Sequence, residues 1–99
     1  MADIKIDMNN PDFQKDLFEL EKPEQLALIN TLKKTKKLTW QQLYLDKGLK
    51  WEVILSKQTK TGERIYTFRF SQKYRATAIR QDEFLRLLTL HPDHDSAYK

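Results

Sequence analysis

The sequence predicts an α+β domain: an N-terminal strand, two or three helices, then an antiparallel meander of about four strands. Three observations carry this. Apolar residues alternate with polar ones at the start of the chain, in Ile4, Ile6 and Met8. They recur at helical spacing from Phe13 to Tyr44, and strict alternation returns from Lys50 to Leu90.

The first strand covers Asp3 to Met8, and Asn9-Asn10-Pro11 ends it. Asn10 is placed to cap a helix whose first residue is Pro11, after which Phe13, Leu17, Phe18 and Leu20 fall on one stripe. Lys22-Pro23 breaks that helix and starts another, in which Leu26, Ile29 and Leu32 repeat every three residues. The run Lys33-Lys34-Thr35-Lys36-Lys37 closes it, where lysines meet the negative end of the helix dipole. Thr39 followed by Gln42 has the form of a capping box, so a short third helix carries Trp40, Leu43 and Tyr44. Gly48 follows as its stop.

From Lys50 the period becomes two. Trp51, Val53 and Leu55 alternate with Lys50, Glu52 and Ile54, and a polar loop around Thr61-Gly62 leads into Ile65 to Phe70. There Tyr66, Phe68 and Phe70 share one face, turned toward the helices, while Ile65, Thr67 and Arg69 share the other. Ser71-Gln72 connect to a strand from Tyr74 to Arg80, and Gln81-Asp82-Glu83 turn the chain into Phe84 to Leu90. Trp40 and Trp51 are expected where the helices meet the sheet.

A chain of 99 residues is read as one domain, 1–99, able to bury roughly two-thirds of the surface its unfolded form exposes. The absence of cysteine removes disulfides, thiol nucleophiles and thiolate metal sites, and the cytoplasm is the expected compartment. The charged, alternating N-terminus is neither a signal peptide nor an anchor, and no run approaches the ~20 apolar residues of a spanning helix. Net charge is +4, from 18 basic and 14 acidic residues. Its distribution says more: between Lys50 and Arg86 stand nine basic residues (50, 57, 60, 64, 69, 73, 75, 80, 86) against four acidic ones (52, 63, 82, 83). Positive charge is concentrated in the predicted sheet, which suits a polyanion.

Both histidines lie in the last stretch, His91-Pro92-Asp93-His94-Asp95-Ser96-Ala97-Tyr98, with two carboxylates and a phenol beside them. Imidazoles move protons near neutral pH, and arginines are planar, permanently charged phosphate clamps. Together they suit cleavage of a phosphodiester with no cofactor: one group deprotonates the ribose 2′-hydroxyl, another protonates the leaving 5′-oxygen, and cations neutralise the transition state. The alternatives are a polar tail without a task, and arginines that merely solvate one face of a sheet. His91, Asp93, His94 and Asp95 are also metal-ligand types, but their spacing matches no dedicated signature, and no metal or cofactor is expected. Gly48 and Gly62 stand alone, so there is no glycine-rich phosphate loop.

The stretches Gly48 to Ile54, Ile65-Tyr66-Thr67-Phe68-Arg69-Phe70-Ser71-Gln72-Lys73-Tyr74-Arg75-Ala76 and Leu87 to Tyr98 resemble the RelE/ParE superfamily of toxin–antitoxin toxins. The likeness covers most of the chain and rests on a third-strand arginine, a Tyr-Arg pair opening the next strand and a C-terminal tyrosine. It implies a RelE-like fold and the toxin of a two-gene module held inactive by a cognate antitoxin. It further implies messenger RNA cleavage on the ribosome by metal-independent acid–base chemistry. Carried over, Arg75 matches the arginine of the Tyr-Arg pair and Tyr98 the terminal tyrosine, while Arg69 is a phosphate or structural contact. His91 and His94 are the candidate acid and base. Lys57, Lys60, Arg64, Lys73 and Arg80 complete the expected RNA-binding set, although Lys57 and Lys60 do not align with second-strand lysines of the superfamily. The alternative is a non-enzymatic protein of the same fold, either a gyrase-inhibiting toxin or a domain that only binds RNA or a partner. Oligomeric state and codon preference are left open by the residues.

Overall fold

The computed structural model describes residues 4–92. Strand β1 (Lys5–Asp7) leads to helices α1 (Pro11–Glu19), α2 (Lys22–Lys36) and α3 (Trp40–Leu45), followed by strands β2 (Glu52–Gln58), β3 (Arg64–Arg69), β4 (Arg75–Gln81) and β5 (Phe84–His91). The sheet order is β1-β5-β4-β3-β2. The last four strands form the expected antiparallel meander, and β1 adds to β5 in parallel, with Ile6 opposite Leu85. No helix among the described residues is long and apolar enough to cross a membrane.

Local signals explain the element ends. Asn10 Oδ1 accepts the Asp12 and Phe13 N–H groups at 2.8 and 3.4 Å, with Pro11 at the first helical position. Both arms of the capping box form at α3: Gln42 N–H donates to Thr39 Oγ1 and Thr39 N–H donates to Gln42 Oε1. Gly62 turns the β2–β3 loop at φ 84°, a left-handed value that costs glycine nothing.

The helices bury Phe13, Leu28, Leu32, Trp40 and Leu43 in one cluster with Phe68, Phe70, Ala76, Ala78, Leu85, Leu87 and Leu90 of the sheet. An aromatic group joins α3 to β2 and β3: the Trp51 ring stacks on Tyr66 with centroids 4.8 Å apart, and Trp40 meets Trp51 edge-on at 6.0 Å.

Four details depart from the sequence reading. On α2 the buried positions are Leu28, Leu32 and Thr35, while Leu26 and Ile29 are exposed, because 3.6 residues per turn rotates a three-residue repeat off the core. Phe18 lies off the buried stripe of α1. On β2 the pairing slips between Val53 and Gln58, so Ile54 is buried and Leu55 stands 90 % exposed. The left-handed residue after α3 is Lys50 (φ 49°) rather than Gly48; α3 ends where Asp46 Oδ1 accepts the Leu49 N–H at 2.9 Å.

Candidate functional site

Alternation turns Tyr66, Phe68 and Phe70 into the core and leaves Thr67 and Arg69 on the face directed away from the helices. Arg75, Thr77 and Ile79 of β4 share that face. On β5 the parity changes. Ala78 pairs with Leu87 but Thr77 pairs with Thr89, so Leu88 is the extra residue of a bulge. Leu85, Leu87 and Leu90 can then all enter the core, while Arg86, Thr89 and His91 all face the other way.

The register places Arg69 opposite Arg75, and Arg75 opposite His91. Three of the residues expected in the site therefore form one row across β3, β4 and β5, spanning roughly 10 Å at normal strand spacing. Like charges directly opposite one another are unfavourable, and no described carboxylate is ion-paired with Arg69 or Arg75.

Each member of the row is held differently. Arg75 is only 4 % exposed; its Nε donates to Thr67 Oγ1 and its Nη2 to the Lys50 carbonyl, both at 3.0 Å. It lies along the sheet surface, not out in solvent as an open clamp would. Arg69 is half-buried, its backbone N–H donates to the Leu49 carbonyl at 2.7 Å, and its guanidinium meets no partner among the described residues. It borders a cavity of about 400 Å³ with Thr31, Lys34, Gly48, Ser71 and Gln72. His91 Nε2 lies 2.7 Å from Thr89 Oγ1, which lies 2.5 Å from Thr77 Oγ1. The Thr89 N–H also donates to Thr77 Oγ1, at 3.1 Å. The two hydroxyls can orient either way, so they serve the imidazole as donor when it is neutral at Nε2 and as acceptor when Nε2 carries a proton.

The opposite end of this face carries an ion pair and a chain of side-chain hydrogen bonds. Arg86 pairs with Asp7 at 3.2 Å and donates to Gln81 Oε1, and Gln81 Nε2 donates to Glu63. The Gln81 hydrogen bond, then that of Thr61, holds the Glu63 carboxyl below its usual value. Asp46 is also lowered, chiefly by the Leu49 N–H and further by Lys34, whose Nζ is 3.1 Å away.

The remaining expected residues lie elsewhere. Lys57, Lys60 and Arg64 are at the β2–β3 end, and Arg64 is five residues along β3 from Arg69, roughly 17 Å. Lys73 is exposed in the β3–β4 turn, next to the row. Arg80 belongs to the helix side: its guanidinium stacks over Trp40 at 4.3 Å and donates to Tyr44 Oη at 3.1 Å, so it clamps β4 to α3 and is not part of the row. His94 and Tyr98, with Asp93 and Asp95, lie outside the described residues. No cluster of three or more metal-ligating side chains occurs among the described residues.

Thr77 and Thr89 were not expected at the site. Single threonines carry no signal; only strand pairing makes Thr77 and Thr89 a relay. Asp16 was hidden as a helix-surface residue, yet its Oδ2 accepts the Leu90 N–H at 3.0 Å, where β1 no longer pairs the edge of β5.

No protein-family model matches the sequence, and no curated protein matches it. Solved structures do. The chain is similar to the archaeal RelE–RelB complex from Pyrococcus horikoshii, with a TM-score of 0.63 and 15 % identity over 93 % of this chain and 96 % of that one. It is also similar to a copper-bound toxin variant from Helicobacter pylori, with a TM-score of 0.54 and 19 % identity over 94 % and 97 % of the two chains. The fold is therefore that of RelE-like toxins.

Proposed function

We propose that this protein is the toxin of a toxin–antitoxin pair and that it cleaves messenger RNA on the ribosome by general acid–base chemistry, without a metal. The observation that carries the reading is the row Arg69–Arg75–His91 on the face of a RelE-like sheet directed away from the three described helices. Arg69, with no ion pair among the described residues, binds a non-bridging oxygen of the scissile phosphate. Arg75 contributes its charge from beneath while fixing the Lys50 carbonyl. His91, oriented by the Thr77–Thr89 hydroxyls, transfers one proton, and His94 the other. The 2′-oxygen bonds to phosphorus as its proton leaves, the P–O5′ bond breaks, and the 5′-oxygen takes a proton. Each positioned acid or base contributes about 10²–10⁴ in rate. Tyr98 stacks on a flanking base. Lys73, and more distantly Lys57, Lys60 and Arg64, contact the polyanion. The setting is the cytoplasm, and a cognate antitoxin covers the site when the toxin is silent.

The test is inducible expression of wild type beside Arg69→Ala, His91→Ala and His94→Ala, followed by labelled-methionine incorporation and mapping of messenger RNA 5′ ends. Rapid arrest with new ends, lost in the variants, is expected. Arrest undiminished in all three would overturn the site. The burial of Arg75 favours a second reading, a non-enzymatic toxin of the gyrase-inhibiting kind; a DNA-damage response with intact messenger RNA would select it.

A further inference from the structure

Behind the row, at the same end of the sheet, runs a groove that the proposed chemistry does not use. One cavity of about 220 Å³ is lined by Asp16, Glu19, Leu20, Tyr74, Leu90 and His91, with Pro92 at its edge. A second, of about 420 Å³, is lined by Glu24, Ser71, Gln72, Lys73 and Tyr74. Tyr74 is the wall they share. Ser71 and Gln72 continue into the cavity beside Arg69, so the groove has His91 at one end and Arg69 at the other, the two outer members of the row.

The groove's surfaces differ in chemistry along its length. The Tyr74 ring is half-buried and braced by Phe70, with centroids 5.7 Å apart, which makes it a fixed flat surface. Near His91 the polar groups include two carboxylates. Asp16 is locked in place through Oδ2 by the Leu90 N–H, leaving Oδ1 to accept from elsewhere, and Glu19 has no partner among the described residues. Toward Arg69 cations predominate: Lys73, Lys34 and the guanidinium itself, with Gln72 among them and one carboxylate, Glu24, across from the turn of Lys73. A flat ring with two carboxylates on one side and a predominance of cations on the other suits a nucleotide, with its base on the ring.

We propose that this groove holds one unpaired nucleobase next to the phosphate on the row, stacked on Tyr74 with an exocyclic amino group directed at Asp16 and Glu19. This rests on the reading of the row as a polynucleotide site, and it adds a base preference to that reading: an amino-bearing base at that position. Cytosine, adenine and guanine each offer an amino donor. Uracil presents a carbonyl where cytosine has its amino group, and a carbonyl set against two carboxylates is repelled and leaves them unpaired.

The experiment measures binding apart from cleavage. Fluorescence anisotropy with 2′-O-methyl oligo(C) and oligo(U), which lack the nucleophilic hydroxyl, gives affinities for the isolated protein. Oligo(C) is expected to bind about tenfold more tightly than oligo(U). Glu19→Gln, whose amide donates as well as accepts, narrows that ratio severalfold. Tyr74→Ala weakens both oligonucleotides, and Tyr74→Phe restores them, which separates stacking from loss of fold. Arg69→Ala weakens both with the ratio kept. Equal affinities, a ratio unmoved by Glu19→Gln, or no binding of either oligonucleotide overturns the base site; arrest and 5′-end mapping decide the nuclease reading separately.

Discussion

Arg75 presents the sharpest conflict between fold and chemistry, and Arg75→Met tests it. Methionine refills most of the volume of the arginine stem, so the cavity cost is small and the main loss is polar. Thr67 is fully buried, and its hydroxyl loses the Nε donor, at about 1–3 kcal/mol for a buried group left unpaired. The Lys50 carbonyl belongs to an exposed residue that water can reach, so its loss is nearer the net value of one hydrogen bond, about 0.5–1.5 kcal/mol. Together these amount to roughly 2–4 kcal/mol, or a drop in Tm of about 10–30 °C for a domain of this size. Thermal and urea unfolding followed by circular dichroism measure it. A loss below about 1 kcal/mol would refute the assignment of Arg75 to the framework. Arg69→Ala is the counterpart: its guanidinium supports nothing described, so stability should stay within about 0.5 kcal/mol while growth arrest is lost.

Four further outcomes follow from the same geometry. Lys50→Gly relieves the left-handed backbone at φ 49° and should raise stability by about 1 kcal/mol in urea unfolding, provided the carbonyl still meets Arg75. Thr39→Ala removes the capping box of α3 and should cost about 0.5–2 kcal/mol, read as a lower urea midpoint at constant m. Arg80→Ala should change tryptophan fluorescence, because the guanidinium sits over Trp40, yet leave arrest intact at equal levels of folded protein. Asp46 and Glu63 are both held below their ordinary values of 3.8 and 4.5. Such depressed carboxyls contribute stability that is present above the ordinary value and lost as pH falls through the folded one. The urea midpoint should therefore decline as pH drops below about 4.5, and Asp46→Asn with Glu63→Gln should flatten that decline.

Short-range chemistry was legible in the chain. The Asn10 cap with Pro11, the Thr39–Gln42 box, the break at Lys22-Pro23 and the four-strand meander each depend on residues within a few positions of one another, and the sequence by itself determined them. So did the inward face of Tyr66, Phe68 and Phe70, since alternation fixes which residues of one strand share a side. What alternation cannot fix is parity across an insertion. Counted strictly by twos, His91 shares the face of Leu85 and Leu87 and would enter the core; the bulge at Leu88 shifts the register by one and delivers the imidazole to the face of Arg75. The same limit hid the burial of Arg75, whose partners Lys50 and Thr67 lie 25 and 8 residues away, and the place of Arg80, which a helix 36 residues earlier draws to the opposite side. Tertiary structure decided these because strand register and interlayer packing are set by the summed burial of all elements at once, a quantity that no local window of the chain contains.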